Sequence, residues 1–146
     1  MVHKTRTIIT AFLSAITFSF LPAASQAENH KLSLSIDLNS IQTNQNGCRL
    51  TFVAHNQNQF DIEKLVFETV LFTKDGSVAS LTLFDFGSIP QNVPRVRQFE
   101  IPGNSCEGLG QVLINGIDSC VTGGSPNKSC SLKLNASSRT SIRLLG

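Results

Sequence analysis

The stretch Lys64–Phe86, KLVFETVLFTKDGSVASLTLFDF, carries the pattern on which the fold turns. Its first part, Lys64 to Thr73, is dense in β-branched and aromatic residues. Lys74-Asp75-Gly76-Ser77 then supplies a hairpin turn, with Gly76 available for a positive φ. The return, Val78 to Phe86, sorts by parity: Leu81, Leu83 and Asp85 share one side, while Thr82, Phe84 and Phe86 share the other. Phe67 and Phe72 lie on opposite sides of the first strand, so that strand is either covered on both faces or leaves one Phe exposed.

The same period of two extends in both directions along the chain. Upstream, Leu32, Leu34, Ile36 and Leu38 alternate with Ser33, Ser35 and Asp37, and Cys48 to His55 places Leu50, Phe52 and Ala54 on one face. Downstream, Arg95 to Ile101 and Gly108 to Asn115 are strands, and Ser131–Leu134 with Ser141–Leu145 supply the last pairing material. Turns separate them at Thr43–Gly47, at Gly87–Pro94 with its two prolines, and at Pro102-Gly103-Asn104. No stretch carries a useful helical stripe. The pattern predicts an all-β fold, an immunoglobulin-like β-sandwich of about seven antiparallel strands, with a small β-barrel as the alternative.

The N-terminus reads as a signal peptide over residues 1–27. Lys4 and Arg6 precede an uncharged apolar run from Ile8 to Leu21, Pro22 breaks it, and Ser25 and Ala27 stand at the small-residue positions of a cleavage site. The run is shorter than the roughly 20 apolar residues of a membrane-spanning helix. Residues 28–146 then form a single domain without a transmembrane anchor, periplasmic or secreted. The whole-chain net charge of +2 leaves with Lys4 and Arg6. A neutral domain has no long-range field for nucleic acid or anionic lipid.

In an exported chain the four cysteines read as disulfides. The second and sixth expected strands run the same way, so Cys48, which opens one, meets Cys106, which precedes the other. Cys120 and Cys130 flank a loop and form the second pair. No Cys-x-x-Cys is present and only His30 and His55 remain as imidazoles, so no metal or other cofactor is expected.

Catalytic patterns are missing as well. There is no Gly-x-Ser-x-Gly elbow, no phosphate-binding glycine loop, and no obvious carboxylate pair. With no Trp or Tyr anywhere in the sequence, aromatic platforms for sugars or single-stranded nucleic acid are lacking too. One segment invites a functional reading: Asp85 between two phenylalanines, followed by Arg95 and Arg97 on one strand face.

The runs CRLTFVAHN, VFETVLFTKDG, LTLFDFGSIP, RVRQFEIPG, CEGLGQVLIN and SSRTSI resemble a group of small exported alphaproteobacterial proteins, some bearing a twin-arginine export signal. Leu83–Gly87 and Arg95–Phe99 are the most specific parts. The single Arg6, with no Arg-Arg pair, departs from the twin-arginine pattern and favours the general secretory route. The resemblance implies a periplasmic location and brings no catalytic residues with it.

The expectation is therefore a non-catalytic periplasmic sandwich that binds another protein or an envelope component, with Asp85, Arg95 and Arg97 as candidate contact residues. The alternative is a hydrolase, or a hydrolase inhibitor, with its site around the same three.

Overall fold

The computed structural model describes residues 33–126 and 133–146. It contains nine strands: β1 (Ser33–Asn44), β2 (Gly47–Asn56), β3 (Ile62–Thr73), β4 (Val78–Ile89), β5 (Arg95–Pro102), β6 (Leu109–Thr122), β7 (Ser125–Pro126), β8 (Lys133–Ser138) and β9 (Arg143–Leu145). A 3-10 turn, Cys106–Gly108, leads into β6. One sheet has the order β5-β2-β1-β8; the other runs β4-β3-β6-β7, with β9 also paired to β6. The sheets pack face to face without closing into a barrel, so the fold is the expected β-sandwich. Pairing of β2 with β5 and of β3 with both β4 and β6 follows the immunoglobulin-like pattern.

Two features differ from a set of about seven antiparallel strands. Nine strands lie among the described residues, and β1–β8 and β6–β9 pair in parallel. A corner built from hydroxyls sends the two parts of the last pairing material to different sheets. Ser138 Oγ donates to Ile142 O at 2.6 Å, while Thr140 N donates to Ser138 Oγ and Ile142 N to Thr140 Oγ1, each at 3.1 Å. The corner buries Ile142 completely and reverses the chain. β8 thus runs along β1, and β9 returns along the other sheet beside β6. Ser and Thr side chains offer the backbone such local alternatives to a continued ladder.

Phenylalanine fills the space between the sheets. Phe52 of β2 lies 5.7 Å from Phe84 and from Phe86 of β4, and 5.8 Å from Phe99 of β5, measured between ring centroids. Phe84 and Phe99 stack at 4.2 Å across the side where β4 and β5 are edge strands, and Phe67 meets Phe86 edge-on at 5.5 Å. Thr82, Phe84 and Phe86 are therefore the inward side of β4. Phe67 is in the core, whereas Phe72, past a register shift, is half-buried at the sheet's end.

Cys48 and Cys106 form a disulfide with their Cα atoms 4.8 Å apart, which fixes the starts of β2 and β6 at one end as the strand directions required. Beside it, a Cβ on Gly47 would fall 2.0 Å from Ile101 O, so only glycine lets β2 approach β5 there. Cys120 is also disulfide-bonded. Its expected partner Cys130 lies outside the described residues, as does the whole signal-peptide segment.

At the opposite end Asn56, fully buried, holds three segments. Its amide donates to Phe60 O at 2.8 Å and Ile89 O at 3.0 Å, and its Oδ1 accepts from Asn58 N at 3.0 Å and Asn58 Nδ2 at 2.8 Å. On the outer side, β8 is pinned to β1 through Asp37, which accepts from Ser137 Oγ at 2.8 Å and Arg139 Nε at 3.0 Å. Burial raises the Asp37 pKa, but the hydrogen bonds from Ser137, Arg139 and Asn39 and the Arg139 charge outweigh it, and the carboxyl ends below its usual 3.8.

Two stability measurements test this description. Replacing both Cys48 and Cys106 by Ala should cost about 4 kcal/mol in chemical denaturation, because the bond closes a loop of 58 residues. A carboxylate held below 3.8 contributes fully above that pH and loses its contribution as pH falls through its lowered value. Asp37→Asn should accordingly flatten the acid limb of the stability–pH profile and leave the neutral limb parallel to that of the parent.

Candidate functional site

Arg95, Arg97 and Phe99 share one side of β5, as parity required, but it is the side turned toward β4 rather than toward solvent. Arg97 reaches across the seam between the sheets. Its Nε donates to Phe86 O at 2.6 Å and its Nη2 to Ser88 O at 3.1 Å, while Nη1 donates to Val96 O at 3.0 Å. The guanidinium lies over Gly87, whose φ of +61° favours glycine, and a Cβ there would make ordinary contact with Nη2 at 3.6 Å. Arg95 Nη1 turns back to Pro94 O at 3.2 Å.

Asp85 is exposed on the outward side of β4, where its Oδ1 accepts from Gly87 N at 2.8 Å. No Asp85–arginine pair forms. The ion pairs among the described residues are Arg49–Glu100 and Arg139–Asp37. The structure thus separates the three candidate residues, and Arg97 is a fastening between two edge strands.

Four carboxylates have lowered pKa values, each from hydrogen bonds to neighbours. A general acid at neutral pH needs a raised pKa. Asp37, Asp75, Glu100 and Glu107 all move down. Asp75 is lowered first by the Thr73 hydroxyl and Glu100 first by the Asn44 amide, with Arg49 next. Glu107 is lowered by backbone and Ser105 hydrogen bonds, with smaller help from Thr43 and the Lys74 charge. Among the described residues no three His, Cys, Asp or Glu side chains gather into a metal-binding group.

The two outer faces of the sandwich differ sharply. Over the β5-β2-β1-β8 sheet, polar side chains pair with one another: Arg49 with Glu100, Asn44 with Glu100 at 3.0 Å, Gln98 with Thr51 at 3.1 Å, and Ser137 and Arg139 with Asp37. The Val53–Val96 pair is an apolar break in it. Over the other sheet, an apolar row crosses four strands in register: Leu81 of β4, Val70 of β3, Leu113 of β6 and Leu145 of β9. Leu81 is 73% exposed and Leu83 54%.

Beside that row, Glu68 of β3 stands between Leu83 and Gly116 with no hydrogen-bond or ion-pair partner among the described residues. A shallow cleft of 300 Å³ lies between Glu68, Val70, Leu81, Leu83 and Asn115. A second cleft, of 480 Å³, lies at the hairpin end of the same face and is lined by Phe72, Lys74, Gln111 and Arg143 among others. Neither includes Asp85, Arg95 or Arg97.

Sequence reasoning separated Leu81 and Leu83 from Phe84 and Phe86, yet it gave no weight to the first pair. The available signal was that both sides of β4 carry large apolar residues, which a half-solvated strand does not need. No family model, curated protein or solved structure matches the chain.

If Arg97 fastens the seam, Arg97→Ala should cost about 2 kcal/mol in denaturant unfolding, because a hydrogen bond from a charged donor contributes about 1.5–3 kcal/mol when buried and solvent screens part of this half-buried group. Arg95→Ala should stay within about 0.5 kcal/mol of the parent. Equal costs for the two would remove the distinction.

Proposed function

We propose that the protein is a non-catalytic β-sandwich, exported to the periplasm, that binds another protein through the outer face of its five-stranded sheet. The observation that carries this is the contrast between the two outer faces. One is laced with polar pairs; the other presents Leu81 and Leu83, more than half exposed, beside Val70, Leu113 and Leu145. Contiguous exposed apolar surface on a small domain marks a contact site.

Export is supported by the signal-peptide pattern of residues 1–27, by the resemblance to small exported alphaproteobacterial proteins, and by the Cys48–Cys106 disulfide, a bond favoured in oxidising compartments. Among the described residues no helix is long and apolar enough to cross a membrane. Arg95 and Arg97 were the first choice for a contact surface, but their hydrogen bonds to the chain's own carbonyls favour the leucine face instead.

Site-specific photocrosslinking in intact cells tests the proposal. A photoreactive residue at position 81 should give protein adducts, and one at position 98, on the polar face, should not. Equal adducts at both positions, or none at 81, would overturn it.

A further inference from the structure

We infer that the partner seated on this face is a second copy of the chain, packed with its strands reversed; this rests on the reading of the leucine face as a docking surface. The argument comes from how charge is arranged about the apolar row. Along β3, Val70 marks the row. Glu68 and Lys64 stand two and six residues before it, and Lys74 and Asp75 stand four and five after it. Glu68 and Lys64 are exposed, and neither has a hydrogen-bond or ion-pair partner among the described residues. Lys74 lines the cleft at the hairpin end of this same face.

A closed dimer joins two identical patches through a two-fold axis. For two sheets packed face to face, that axis lies in the interface and has two simple settings. Set along the strands, it leaves each row level with itself, so Glu68 faces the level of Glu68, and Lys64 that of Lys64. Like charges brought together in an interface are unfavourable.

Set along the Leu81–Val70–Leu113–Leu145 row, the axis exchanges the two ends of each strand. The row still packs on its own copy. Lys74 of the second copy now falls four residues from Val70 on the Glu68 side, about 7 Å from Glu68 along the strand and within reach of a lysine side chain. Asp75 of the second copy falls one residue, about 3 Å, from Lys64. Glu68 and Lys64, the two charges of β3 without a hydrogen-bond or ion-pair partner among the described residues, thereby each gain an opposite charge from the second copy. Electrostatics selects the reversed arrangement, and burial of the leucine row supplies the attraction.

The test is sedimentation of protein produced from the full-length chain, over a wide concentration range. The parent should move from monomer to dimer as concentration rises, and Leu81→Glu should remain monomeric throughout. Glu68→Lys should weaken the dimer about tenfold or more, and adding Lys74→Glu should recover most of that loss. Thermal midpoints measured at monomeric dilution should match the parent, which separates lost association from lost folding. A parent that stays monomeric up to millimolar concentration, or a charge exchange that fails to recover the dimer, overturns the inference. The photocrosslinking outcome keeps the two readings distinct: adducts at position 81 that contain only other proteins refute the second copy and leave the docking face standing.

Discussion

The sandwich depends on the contact of Phe84 with Phe99. β4 and β5 are edge strands of different sheets with no ladder between them, so along their lengths side chains hold them together. Stacking at 4.2 Å joins one ring from each sheet at that seam, and Phe52 touches both. Aromatic pairs contribute about 0.5–1.5 kcal/mol beyond the area they bury. The constraint also explains parity on both strands. Once Phe84 and Phe99 point inward, Phe86 and Arg97 follow them, and Leu81, Leu83 and Asp85 are turned outward.

Arg97 then has an origin that its own strand does not reveal. Its neighbours in sequence are Val96 and Gln98, which suggest an exposed basic residue. The partners that determine its role are Phe86 O and Ser88 O, main-chain atoms of another strand in another sheet. No side-chain pattern advertises a carbonyl, so the pairing was not legible. The same limit applies to the β8–β9 corner. Ser138 and Thr140 look like ordinary loop residues, and only the hydrogen bonds to Ile142 show that they turn the chain from one sheet to the other. By contrast, strand existence, the Lys74–Ser77 turn and the Cys48–Cys106 pair were readable. Period-two alternation, turn chemistry and strand direction are local or follow from simple topology. Which side of β4 met solvent was half-readable: the parity was plain, but both sides were apolar.

The two outer faces meet different physical demands. On the polar face, each charged group in a pair is held by hydrogen bonds across neighbouring strands, which suits a surface in water. On the leucine face, Glu68 remains unpaired beside aliphatic side chains, an arrangement that gains nothing within a single molecule. Edge strands carry a separate hazard, since unpaired backbone groups invite further strands. At the β4 edge, Arg97 occupies two carbonyls, which leaves fewer unpaired backbone groups there for an added strand.

The fastenings of this sandwich also differ in what can undo them. The disulfide at one end yields to reductant, and the Asp37 clasp on β8 yields to protons. Arg97 depends on neither: its bonds to Phe86 O and Ser88 O involve no thiol and no carboxylate. Different agents therefore act on different margins of the molecule. Acid loosens the β8 margin and reduction frees the end where β2 and β6 begin. The β4–β5 seam, stacked through Phe84 and Phe99 and fastened by Arg97 to main-chain carbonyls, relies on neither a disulfide nor a carboxylate.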